Sequence, residues 1–129
     1  MPTINIFNTS HDAQSFQAGE IVFKEGDVGD AMYAVVEGSV ELIHRGRTFE
    51  VVEPGGILGE MALIDGIPRS MTAIAASRSR LVSVDQKHFT FLVHEHPTFS
   101  LQVMAIMSER LRRETDRATS PHKYESVHA

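Results

Sequence analysis

From Phe16 to Asp85 the apolar residues come in short β-prone runs closed by turn formers, and after Asp85 their spacing becomes helical. That single change of period constrains the fold more than any other feature of the chain. The first strand-like run is Ile21-Val22-Phe23, followed by the breaks Gly26-Asp27 and Gly29-Asp30. Runs follow at Met32 to Val36, Val40 to His44 and Thr48 to Val52, divided by Gly38, Arg45-Gly46 and Pro54-Gly55-Gly56. Met71 to Ala76 and Leu81 to Val84 complete the set. Short strands at such close spacing predict a sandwich or jelly roll.

Asp85 is then a suitable N-cap for a helix carrying Phe89, Leu92 and Val93 on one face. Pro97 opens a second helix, with an apolar stripe of Leu101, Met104, Ala105, Met107, Ser108 and Leu111. That stripe is expected to pack on the core and against a partner helix. Arg110, Arg112, Arg113 and Arg117 alternate with Glu109, Glu114 and Asp116, the pattern of a solvated face laced with salt bridges. The fold class expected is α+β: a β-roll (a jelly-roll-like double-stranded β-helix) followed by C-terminal helices. Residues 1–15 read as a polar, turn-rich arm, residues 16–118 as one domain with its roll over 16–85 and its helices over 86–118, and residues 119–129 as a flexible tail.

Composition removes several classes of function. The chain has 129 residues, of which 42% are hydrophobic, enough for one folded domain with a single core. Its formal net charge of −5, without a run of Lys or Arg, argues against a nucleic-acid partner. It has no cysteine, which excludes disulfides and thiolate metal sites and suits a cytoplasmic location. No segment reads as a signal peptide, and none approaches the roughly 20 apolar residues that a membrane span requires.

The segment Leu58-Gly59-Glu60-Met61-Ala62-Leu63, with Pro68-Arg69-Ser70-Met71-Thr72 after it, carries the chemistry. Gly59 lets backbone approach a ligand without a Cβ in the way. Glu60 to Ile64 are mostly good helix formers, and the start of a helical turn presents unbonded N–H groups to an anion. Gly66 and Pro68 reverse the chain, and Arg69 offers a planar guanidinium suited to bidentate phosphate binding. Ser70 adds a hydroxyl. Glu60 beside an anion site has its own use, because a carboxylate accepts hydrogen bonds from a sugar hydroxyl.

On these residues the segment resembles the phosphate-binding cassette of cyclic nucleotide-binding domains, which reads Gly-Glu-(Leu/Met)-Ala-Leu, a short gap, then Pro-Arg-(Ser/Ala/Thr)-Ala-Thr. Ala18-Gly19-Glu20, Glu25-Gly26-Asp27, Gly29-Asp30, Met32-Tyr33 and Glu37-Gly38 extend the resemblance, which covers about residues 16–117. It implies a non-enzymatic sensor of cAMP or cGMP that needs no further cofactor. Glu60 is then expected on the ribose 2′-hydroxyl and Arg69 on the cyclic phosphate. Ser70 and the N–H groups near Met61, Ala62 and Met71 complete the cradle, and Leu58, Met71 and Thr72 line the pocket. The last helix is expected to cover the base, with Glu114 or Thr115 as contacts, to form a homodimer, or both. An effector protein is expected to read out the ligand, since no output domain follows. One departure is Met71, where the family has Ala, which narrows or reshapes the pocket.

Three other readings stay in view. A degenerate roll that serves only interaction or dimerisation would keep the cassette without a nucleotide, and a cyclic dinucleotide is a larger variant of the ligand. A metal-dependent enzyme on a similar roll would need histidines that Gly26 to Met32 lacks. Of His88, His94 and His96, the last two are not spaced to share a helix face, no third ligand is arranged with them, and all three read as solvated. Gly26, Gly29 and Gly38 read as structural turns.

Overall fold

The computed structural model describes residues 3–7 and 12–118. Among these residues eight strands form two four-stranded antiparallel sheets. The strands are β1 (Gln14–Phe16), β2 (Ile21–Phe23), β3 (Ala31–Glu37), β4 (Val40–His44), β5 (Arg47–Val52), β6 (Ile57–Leu58), β7 (Thr72–Ala75) and β8 (Ser79–Asp85). A short helix, α1 (Glu60–Asp65), lies between β6 and β7, and α2 (Gln86–Glu95) and α3 (Thr98–Ala118) follow β8. One sheet has the order β1-β8-β3-β6 and the other β2-β7-β4-β5. The β-roll with C-terminal helices is thus the observed architecture.

The sheets differ in how many of their faces are covered. In β3, Met32 and Ala34 point to a core shared with the helices, while Val35 and the partly buried Tyr33 point into the roll between the sheets. Both faces are apolar, so β3 reads as a nearly continuous hydrophobic run. The other sheet covers only its inner face. In β4, Val40 and Leu42 are buried, and in β7, Ala73 and Ala75, with less buried residues between them.

Asp85 caps α2 as its sequence suggests, its carboxylate accepting the His88 N–H at 2.8 Å. Leu92 is buried, with Phe89 and Val93 packed beside it. On α3 the inward face is a different one from that expected. Phe99, Val103, Ile106 and Arg110 are buried, whereas Leu101, Met104 and Leu111 are exposed and Met107 is only partly covered. Two stripes at helical spacing compete on this helix, and the stripe with the aromatic at its start is the one that meets the roll. Phe99 packs edge-on to Phe7 (ring centroids 6.0 Å apart) and tilted against Phe89 (5.4 Å).

The expected arm also needs correction. Ile4 and Phe7 are buried in the helix-facing core, and the Ile4 N–H donates to the Gly55 carbonyl at 2.6 Å. Strand β1 begins at Gln14, before the expected boundary, and pairs with β8. Two isolated apolar anchors in a polar segment leave no period to read. The expected tail, 119–129, lies outside the described residues.

Phe99→Ala is expected to lower stability by about 3–5 kcal/mol, while Leu101→Ala on the outer face changes it by less than about 0.5 kcal/mol. Urea denaturation of both variants checks which stripe of α3 faces the core.

Candidate functional site

Strand β6 ends at Leu58, and the chain then turns through Gly59 at φ 77° into α1. That left-handed conformation is strained for any residue with a Cβ. After α1, Pro68 leads into Arg69, whose main chain is held by the loop between β2 and β3. The Arg69 N–H donates to the Asp27 carbonyl at 2.8 Å, and the Gly26 N–H donates to the Arg69 carbonyl at 2.7 Å. The Glu25 N–H donates to Thr72 Oγ1 at 3.0 Å. The two sequence stretches singled out above, one near residue 26 and one near residue 69, are therefore adjacent in space.

The Arg69 side chain is only 7% exposed. Its Nη1 donates to the Gly59 carbonyl at 3.0 Å and its Nη2 to the Ala31 carbonyl at 2.8 Å. The guanidinium lies 4.2 Å from the centroid of the Phe23 ring, a cation–π contact. Nε is buried with no hydrogen-bond partner among the described residues. A Cβ on Gly29 would collide with this guanidinium, so that glycine serves close approach to Arg69. Burial lowers the Arg69 pKa from its ordinary value, with Tyr33, Asp30, Asp27 and Glu60 acting in the opposite direction.

Glu60, at the first position of α1, is 4% exposed. Its Oε1 accepts from Arg110 Nη1 at 2.9 Å. Arg110 comes from α3 and was expected on a solvated face, yet it is 8% exposed. It also donates through Nε to Glu50 Oε1 at 2.8 Å, through Nη2 to Glu50 Oε2 at 3.2 Å, and through Nη2 to the Ile57 carbonyl. Burial opposes the charge of Arg110, but the hydrogen bonds and charges of Glu50 and Glu60 outweigh it and raise the pKa. Arg113 reinforces the cluster, Nη2 lying 3.0 Å from Glu50 Oε1.

One cavity joins these groups. Gly59, Glu60, Met61, Ala62, Arg69, Ser70 and Met71 line it from the cassette. Phe23, Leu42 and Phe49 line it from the roll, and Met107, Arg110, Leu111 and Glu114 from α3. Of the expected site residues, Leu58 is buried in the roll core and Thr72 bonds the β2–β3 loop; neither lines the cavity. Glu114 does line it, while Thr115 lies in a shallow groove on α3 with Met104, Ser108 and Arg112. The Ser70 carbonyl lies 3.1 Å from His44 Nδ1. Glu50 and Arg110 went unrecognised in the sequence. For Arg110 the signal was partial: it continues Phe99, Val103 and Ile106 at helical spacing, a stripe that the sequence alone does not rank above the other one on this helix. For Glu50 none existed, because its role depends on a helix 60 residues away. Among the described residues no group of three or more His, Asp or Glu side chains is arranged to hold a metal ion.

Arg110→Ala strands the buried Glu60 carboxylate and leaves Glu50 with Arg113 in place of its two-pronged clamp, and is expected to cost about 3–5 kcal/mol of stability. Arg112→Ala, which loses only an exposed contact to Ser108 Oγ, is expected to cost less than about 0.5 kcal/mol. Thermal or urea unfolding of the pair measures the difference.

Comparison with known proteins agrees with this geometry. The model of the family described as the cyclic nucleotide-binding domain matches residues 13–96. A "Cyclic AMP receptor protein" of Thermus thermophilus is 32% identical over 102 residues, covering 75% of this chain and 47% of the relative. A cyclic nucleotide-gated potassium channel of Mesorhizobium japonicum is 41% identical over 87 residues, covering 66% of this chain and 23% of the channel. The crystal structure of the Thermus thermophilus catabolite activator protein superposes with a TM-score of 0.70 at 31% identity, covering 80% of this chain and 52% of that one. The chain spans about half the length of the receptor-type relatives it matches. With its β-roll, its cassette and its C-terminal helices in this arrangement, the chain belongs to the cyclic nucleotide-binding domain family.

Proposed function

We propose that the domain binds a 3′,5′-cyclic nucleotide, cAMP or cGMP, and acts as a regulatory sensor with no catalysis of its own. The observation that carries this reading is the pairing of Arg69 and Glu60 on one cavity whose remaining walls, Ser70, Arg110 and Glu114 aside, are apolar. A cyclic nucleotide is an anion joined to a sugar and a flat apolar base. Arg69, with its buried Nε still lacking a partner among the described residues, is the phosphate ligand, helped by the Ser70 hydroxyl and the N–H groups at Met61 and Ala62. Glu60 takes the ribose 2′-hydroxyl with the oxygen that does not face Arg110. Phe23, Leu42, Phe49 and Met71 surround the rest of the ligand, and Glu114 reaches the base from α3.

The same residues suggest how a signal leaves the site. Arg110 ties Glu60 to α3, so a ligand that changes the position of Glu60 changes the helix's hold on the roll. A ligand shifts that equilibrium only by its difference in affinity for the two helix positions. The outward stripe of Leu101, Met104 and Leu111 is then the readout surface, for a second copy of the chain or an effector protein. Among the described residues no helix is long and apolar enough to cross a membrane.

A second reading, a roll that keeps the cassette without a nucleotide, is favoured by Met71, which lines the cavity and packs against the roll core. Calorimetric titration with cAMP, cGMP and a cyclic dinucleotide separates the two. The expected result is saturable binding of one of the mononucleotides. Arg69→Lys keeps the charge but loses the bidentate fork, and is expected to weaken binding by about ten- to a hundredfold. Equal affinity in that variant removes Arg69 as the phosphate ligand, and the absence of heat with every ligand favours the second reading.

A further inference from the structure

We infer that Glu50 is a positioning residue for the sugar-binding carboxylate: by anchoring Arg110 it fixes the orientation of Glu60, and so sets how strongly the site distinguishes a ribose from a 2′-deoxyribose. This rests on the cyclic-nucleotide reading above.

A guanidinium is planar and rigid, so fixing one edge fixes the direction of the remaining nitrogen. In Arg110 the Nε–Nη2 edge is the one that is fixed, clamped on both oxygens of Glu50, with Nη2 also donating to the Ile57 carbonyl. Nη1 is thereby left to face Glu60 Oε1, at 2.9 Å. Both carboxylates are about 95% buried, their side chains being 5% and 6% exposed, so each relies on Arg110 to offset the cost of its burial.

Glu50 owes its position to an irregularity in the sheet. Leu42 pairs with Glu50 and Ile43 with Thr48, so Phe49 is the extra residue of a β-bulge. Phe49 and Glu50 are both buried as a result, where strict alternation would bury only one of them. The bulge thus places a cavity wall and the anchor of Arg110 side by side on β5. Arg113, which also bonds Glu50, lies with its guanidinium 5.5 Å from the Phe49 ring centroid.

A purely structural ion pair would stabilise α3 and leave ligand choice untouched. The chain Glu50–Arg110–Glu60 ends instead on a carboxylate that lines the cavity. Without Glu50, Arg110 keeps only Ile57 and Glu60 as partners and can swing about its own side-chain torsions. Glu60 then loses its fixed direction toward the sugar.

The test is a pair of affinities, for cAMP and cGMP each against its 2′-deoxy analogue, measured on the chain and on Glu50→Gln. The expected outcome is a ribose preference in the unmodified chain that falls by about tenfold in Glu50→Gln, while affinity for the deoxy analogue changes little. Should Glu50→Gln fail to fold, Glu50→Asp keeps the charge beside Arg110 and Arg113 but shortens the reach of the clamp, and is expected to lower the ribose preference in the same direction. An unchanged ribose-to-deoxyribose ratio in a folded variant, even with lowered thermal stability, overturns the positioning role alone. No binding of any cyclic mononucleotide by the unmodified chain overturns the cyclic-nucleotide reading and this inference with it.

Discussion

A guanidinium charge buried between helix and roll, that of Arg110, is the constraint around which the domain is arranged. Removing such a charge from water is costly, and only well-placed partners offset the cost. Here the partners come from three separate places in the chain. Glu50 lies on β5, the Ile57 carbonyl on β6 and Glu60 at the start of α1. In this position of helix α3 all three converge on Arg110, so the ion cluster favours one seating of the helix as well as holding it there. Apolar packing of Phe99, Val103 and Ile106 supplies the adhesion, which is non-directional. The charge supplies the register.

Arg69 is the second fixed point, and its surroundings are of another kind. It is met by backbone carbonyls and an aromatic face, without a carboxylate in hydrogen-bond contact among the described residues. Carbonyl dipoles hold a cation in place without cancelling its charge. A carboxylate partner would cancel it. A guanidinium oriented in this way keeps its charge for an anion, which suits a phosphate site. The cost appears in the local backbone, where Gly59 takes a left-handed conformation and Gly29 leaves room for the side chain.

The two apolar cores explain why the cavity lies where it does. One fills the roll between the sheets, and the other joins the β1-β8-β3-β6 sheet to α2, α3 and the anchors Ile4 and Phe7. The cassette bridges them: Leu58 belongs to the roll core and Leu63 to the helix-facing core, with Gly59 and α1 between. The cavity is therefore walled by both the roll and α3.

Features whose cause is local were legible in the sequence. The strands from β2 to β5, the Asp85 cap and the cassette turn each depend on a few neighbouring residues: alternating side chains, a side-chain oxygen near free N–H groups, a glycine and a proline at a reversal. The residues proposed to meet the ligand, Glu60 and Arg69, fall in one short segment and so were visible too. Strands β1 and β6 were not, since Gln14-Ser15-Phe16 offers a single apolar residue and Ile57-Leu58 is two residues long. Nor could the sequence choose between the two stripes of α3, which are similar in apolar content; the shape of the roll surface makes that choice. The contacts of Arg110 with Glu50 and Glu60 span 60 and 50 residues. Such pairing follows only once sheets, bulge and helix have been placed, because a buried charge selects its partners by distance and direction in space, and separation along the chain determines neither.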